Sequence, residues 1–210
     1  MRIYIWKILL KIRDSGLYWL LRKIFIKEQY TNGEFILDGY PRSGNSIASF
    51  FLSELGYHNF IHHTHSPYIL NRALRDRKKA IILLRNPKDC ISSYILRNNV
   101  SSERAILEYI NFYSLVYSYR EQIILWRFDD LINGIIPGRL EDGGFFFFDS
   151  FKKAKLRLEK NEKKNGLNFL QIALPTRGKD QRKRELLRSY IDSKEFKKCE
   201  ELYNNLNDEN

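Results

Sequence analysis

The segment from Phe35 to Leu55, FILDGYPRSGNSIASFFLSEL, constrains the fold more than any other stretch of this chain. The apolar run Phe35–Leu37 reads as a buried strand, and the pattern over Ser46–Leu55 as an amphipathic helix. Between them lies a turn bounded by Gly39 and Gly44, with one basic residue, Arg42, inside it. A strand that enters a helix through such a turn aims consecutive backbone N–H groups, and the positive end of the helix, at a common point. That point favours an anion.

The remainder of the chain repeats the alternation. Apolar runs read as strands at Ala80–Leu84 and Ile123–Trp126, with weaker candidates at Phe60–His62 and Phe145–Phe148. Helical patterns cover Ser46–Leu55, Lys88–Arg97, Ser102–Tyr119, Phe151–Lys164 and Glu195–Leu206. Residues 132–144 read as a loop and Lys160–Gly166 as a charged break. Short strands separated by helices imply βαβ units and an α/β fold, with ligands at the carboxyl ends of the strands. At 210 residues, 43% of them hydrophobic, the chain suits one globular domain over 31–210 preceded by a distinct segment.

That segment, residues 1–30, is aromatic, aliphatic and basic. Its longest uncharged run, Ser15 to Leu21, falls far short of the roughly 20 apolar residues of a membrane span. It lacks the uninterrupted apolar core and cleavage site of a signal peptide. It reads as an amphipathic helix or helix pair packed on the domain and broken near Ser15–Gly16. The alternative is an interfacial helix carrying Trp6, Trp19 and Phe25 in a headgroup region. The expectation is a cytoplasmic protein with peripheral contact to a membrane or an acidic glycan.

Net charge is +11, and residues 152–188 alone hold thirteen Lys/Arg against four Asp/Glu. Such a field favours anionic partners, or is a solvated lysine-rich face. Cys90 and Cys199 give neither a disulfide framework nor a metal-ligand pattern, and the run His62, His63, His65 has no supporting cysteine for zinc. No metal is expected, and no nucleic-acid motif is found.

The loop spacing Gly39-x4-Gly44-Asn45-Ser46 is that of a Walker A loop in which Asn45 takes the lysine position and the cation has moved to Arg42. A second constellation follows the strand AIILL, where Arg85-Asn86-Pro87-Lys88-Asp89 opens a helix bearing Ser92 and Ser93. Arg85 then sits at the carboxyl edge of the sheet, on the side where the Arg42 loop opens. Its planar fork, with the Ser93 hydroxyl, suits a second phosphate. The plainer reading pairs Arg85 with Asp89 at a helix start.

YPRSGNS followed by RNPKDCISSY resembles the motif pair of the sulfotransferases that use 3′-phosphoadenosine 5′-phosphosulfate. The resemblance implies a three-layer P-loop-like fold with a central, mostly parallel sheet flanked by helices. It implies that Arg42, Ser43, Gly44, Asn45 and Ser46 hold the 5′-phosphosulfate, with Arg42 also assisting transfer. Arg85 and Ser93 would bind the 3′-phosphate. His65, in the context His63-Thr64-His65-Ser66-Pro67, falls on the position of the family's catalytic histidine. Phe128-Asp129-Asp130 matches a Tyr-Glu-Asp segment, and Ser150-Phe151 matches a Ser-Phe pair that contacts adenine. Arg177-Gly178-Lys179 echoes a late Arg-Lys-Gly element. The departures are Arg42 in place of the commonest Lys, Asn45, Ser46 and Ile47 in place of Thr, Thr and Trp, Phe128 without the Tyr hydroxyl, His63 in place of Lys, and a displaced Gly178. A compressed stretch between Asp130 and Ser150 further departs from the family.

The chemistry implied is in-line transfer of a sulfuryl group to a hydroxyl or amine acceptor, a glycan or a lipid among them, with His65 as general base and no metal. Two rivals belong to other classes. One is a P-loop nucleotide kinase using Asp129 or Asp130 for Mg²⁺, which Asn45 argues against. The other is a non-catalytic binder of a nucleotide or an acidic polymer.

Overall fold

Alternation along the strands decides the architecture. The computed structural model describes residues 33–137, 148–164 and 177–208. Four strands, β1 (Phe35–Gly39), β2 (Phe60–His62), β3 (Lys79–Leu84) and β4 (Ile123–Arg127), form one parallel sheet in the order β2-β1-β3-β4. Ile36, Ala80, Ile82 and Leu84 point into one apolar core; Phe35, Leu37, Ile81 and Leu83 point into another. A sheet apolar on both faces needs helices on both, and the fold is accordingly a three-layer α/β arrangement.

The helices are α1 (Asn45–Glu54), α2 (Pro67–Arg75), α3 (Pro87–Asn98), α4 (Ser102–Ser118), α5 (Phe128–Ile132), α6 (Phe148–Lys164), α7 (Arg177–Leu187) and α8 (Lys194–Asp208). Residues of α1, α5 and α6 fill one core, and those of α2, α3, α4 and α8 fill the other. After β1 the chain passes over one face through α1 to β2. It then returns over the opposite face through α2 to β3 and continues outward to β4. The direction of winding therefore reverses between β1 and β3, and the crevice at their carboxyl ends is the switch point where such sheets bind ligands.

Most expected elements fall within a residue or two of their observed limits. Helices α2, α5 and α7 fall outside the expected elements, although in α2 Pro67 at the first turn and the buried set Ile69, Leu70, Ala73 and Leu74 have helical spacing. The expected strand Phe145–Phe148 is corrected at its end: Phe148 begins α6, and residues 145–147 lie outside the described residues. Phenylalanine carries strand propensity, but the buried stripe Phe151, Ala154 and Leu158 has helical spacing and packing prevails. The charged break expected from Lys160 is likewise a continuation of α6 to Lys164, with Glu162 buried. The expected N-terminal helical segment, residues 1–30, lies outside the described residues.

Candidate functional site

The turn between β1 and α1 closes on itself through contacts only certain residues permit. Arg42 and Gly44 both have left-handed backbones, with φ of 72° and 103°. A Cβ on Gly39 would stand 2.9 Å from the Leu83 carbonyl oxygen, so only glycine allows β1 and β3 to approach here. The Asn45 amide donates to the carbonyls of Tyr40, at 3.2 Å, and Gly39, at 3.5 Å, and so ties the loop to itself. Beneath the loop, Tyr113 Oη donates to the Leu83 carbonyl at 2.7 Å and accepts from Ser43 Oγ at 3.2 Å. The side chains of Ser43 and Asn45 are therefore spent on the loop. The orphan N–H groups of the first turn of α1 remain as donors, while the Ser46 hydroxyl is bonded to His63 Nε2.

The two basic motifs meet. Arg42 Nε donates to Ser93 Oγ at 3.0 Å, across a separation of 51 residues. Arg85 Nη1 donates to the Arg42 carbonyl at 3.0 Å, and its guanidinium lies 3.9 Å over the Phe128 ring. The plainer pairing of Arg85 with Asp89 is not what forms: Asp89 faces Lys183 of α7 at 3.5 Å. Arg85 Nε is buried and finds no acceptor among the described residues. Burial draws the Arg42 guanidinium down to about 9, with further lowering from Arg97 and Arg85 and partial relief from Glu162. A cation held against its own desolvation and two like charges is a cation an anion would stabilise.

The histidines form the third side. Strand β2 stops at His62, and both His63 and His65 then adopt left-handed backbones, φ 56° and 49°. The odd–even rule of a strand therefore does not extend to His63 and His65; their placement comes from the turn. His65 Nδ1 lies 2.7 Å from the Gly39 carbonyl oxygen, which only accepts, so the Nδ1 proton is fixed and Nε2 carries the lone pair. Asp38, wholly buried at the end of β1, accepts from the backbone N–H groups of Gly39 and His65 and from the Thr64 hydroxyl. His63 Nε2 meets Ser46 Oγ at 3.0 Å, and His63 Nδ1 meets His62 Nδ1 at 2.6 Å. Burial, then His65, His62 and Arg97, push the His63 imidazole down to about 3, so it is neutral near pH 7.

The other expected residues lie on α5, α6 and α7. Phe128 opens α5 and separates Gly44 from Arg85, packing on both. Phe151 sits on the first turn of α6, its ring against Phe51 in the core, and half-buried Ser150 precedes it. Arg177-Gly178-Lys179 forms the first turn of α7, which packs on the Ser93-bearing α3. Ser92 is structural, accepting from Tyr190 and donating to the Lys88 carbonyl. Sequence reading missed Asp38, Tyr113 and Arg97. Of these only Asp38 carries a signal, a carboxylate within an otherwise apolar strand.

Among the described residues no group of three or more His, Cys, Asp and Glu side chains converges on a metal-binding point, and no helix is long and apolar enough to cross a membrane. The chain matches no protein-family model, and no curated protein matches it. Helix N–H groups, two arginines and a hydroxyl converge on the switch point beside an imidazole of fixed tautomer.

Proposed function

We propose that this chain is a sulfotransferase, moving a sulfuryl group from 3′-phosphoadenosine 5′-phosphosulfate to a hydroxyl or amine acceptor. The observation that carries the reading is the Arg42–Ser93 hydrogen bond of 3.0 Å. Through it the two resembling motifs, distant in sequence, adjoin at one crevice, with Arg85 against Arg42 and His65 against Gly39. In this reading the first turn of α1 and Ser46 receive the 5′-phosphosulfate, and Arg85 with Ser93 receives the 3′-phosphate. The acceptor's oxygen forms a bond to sulfur as the bond from sulfur to the bridging phosphate oxygen breaks. The acceptor proton goes to His65 Nε2, and adenosine 3′,5′-bisphosphate leaves. Arg42 and the helix N–H groups stabilise the charge on the departing phosphate. The Asn45 side chain, turned onto the loop carbonyls, gives a nucleoside triphosphate no γ-phosphate cation, which weighs against a kinase.

The test is calorimetric titration with adenosine 3′,5′-bisphosphate, adenosine 5′-phosphate and ATP·Mg²⁺. The bisphosphate should bind tightest, and Arg85→Ala should weaken it by roughly ten- to a hundredfold, the value of a charge-assisted contact. The monophosphate should be little affected. Equal losses for both nucleotides, or a preference for ATP·Mg²⁺, refute the assignment.

A further inference from the structure

Asp38 is the one carboxylate wholly buried among the described residues, and every donor around it belongs to the histidine turn or to the loop it faces. The Gly39 N–H donates to Oδ1 at 2.9 Å, the His65 N–H reaches Oδ2 at 2.9 Å and Oδ1 at 3.1 Å, and the Thr64 hydroxyl donates to Oδ2. The same Oδ1 lies 3.4 Å from His65 Nδ1, the nitrogen whose proton is held by the Gly39 carbonyl at 2.7 Å. Two negative poles thus flank one N–H. Ordinary burial of a carboxylate in a sheet is costly, and a strand needs none to end. Here the carboxylate fixes the left-handed backbone of His65 and faces its ring as well.

We propose that Asp38 is a positioning residue for His65. It holds the ring in the Nδ1–H tautomer with the lone pair on Nε2, and its charge offsets the imidazolium that forms when Nε2 takes the acceptor proton. This rests on the sulfotransferase reading for its catalytic half, while the tautomer half stands on geometry alone. The Asp38→Asn side chain has the same shape. It keeps one oxygen for the Gly39 and His65 N–H groups and turns its amide toward Thr64, so the turn survives and the charge is lost. Asp38 acts through His65, so its effect on turnover has a ceiling: the contribution of the base itself, about 10²–10⁴-fold.

Two measurements test it. Long-range ¹⁵N–¹H correlation spectra of the full chain, with His65 assigned by the His65→Ala variant, should show the wild-type ring protonated on Nδ1. The Nε2–H tautomer in the wild type overturns the proposal, whatever any variant does. In a labelled sulfuryl-transfer assay with a verified acceptor, Asp38→Asn should lower kcat by roughly ten- to a hundredfold. Its affinity for adenosine 3′,5′-bisphosphate should stay within about twofold, a change below what one lost contact costs. In the His65→Ala background Asp38→Asn should have no further effect, since the two act as one unit. A wild-type kcat in Asp38→Asn, or an equal effect in both backgrounds, refutes the Asp38 role while leaving the transferase reading intact. Wild-type turnover in His65→Ala removes the base itself and the catalytic role of Asp38 with it.

Discussion

Gly44 and Gly56 offer a matched pair on which the loop geometry can be tested without reference to any ligand. Both have positive φ, 103° and 92°. Alanine at either position must hold a left-handed backbone that costs an L-residue about 1–2 kcal/mol. They differ in their surroundings. A Cβ on Gly44 would stand 2.9 Å from Phe128 Cδ2, 3.1 Å from Phe128 Cε2 and 3.1 Å from Leu131 Cδ2, whereas one on Gly56 would meet nothing within 4 Å. Forcing a methyl group into such a contact typically adds about 1–3 kcal/mol, because the ring must leave its place. Gly44→Ala should therefore cost about 2–5 kcal/mol and Gly56→Ala about 1–2 kcal/mol in urea unfolding at unchanged m-value. The displaced ring is the one under Arg85, 3.9 Å away, so Gly44→Ala should also weaken nucleotide binding where Gly56→Ala does not. Stability losses that agree within about 0.5 kcal/mol, the usual spread of neutral surface changes, refute the packing argument.

The depressed His63 imidazole makes stability depend on pH with a definite sign. Its folded value of about 3 lies below the unfolded value near 6.5, so between them the unfolded chain binds the extra proton and stability falls as pH falls through that window. The slope from one such group is at most about 1.4 kcal/mol per pH unit, and His63→Ala should flatten urea-derived stability between pH 6.5 and 4.5; an unchanged slope rules His63 out as its source. Tyr113→Phe removes the hydroxyl that bonds Leu83 and Ser43, and should cost about 1–3 kcal/mol by strand-and-loop unfolding, with near-neutral stability as the contrary result.

The parts of the site legible in the sequence were those that are contiguous. The βα turn announces itself because Gly39 and Gly44 bracket it and the hydrophobic period changes across it from strand to helix. Arg85 and Ser93 were readable as a unit since a strand end and two helical turns fix their relation. Asp38 was not assigned a partner because its donors, Thr64 and His65, lie some 26 residues away and depend on how β1 pairs with β2. Tyr113 reads only as one more aromatic on the buried stripe of α4. The placement of His63 and His65 is illegible for a more local reason: nothing in the run HHTH signals that two of its histidines turn left-handed.

The same arrangement explains why this end of the sheet is assembled at all. Left to themselves, Arg42 and Arg85 would repel one another and seek water. They are instead fixed by neutral or weakly negative partners: a serine hydroxyl, a main-chain carbonyl and the face of a phenylalanine. Burial, and then the like charges of Arg97 and Arg85, lower the proton affinity of Arg42, and Glu162 opposes them. Glu162 offsets part of the charge at Arg42, whereas the wholly buried Asp38 is turned the other way, onto Thr64 and His65. The fold thus places the Asp38 carboxylate behind the His65 ring and the two arginines together at the switch point. In the proposed transferase reading that division suits a multiply charged anion bound beside a base.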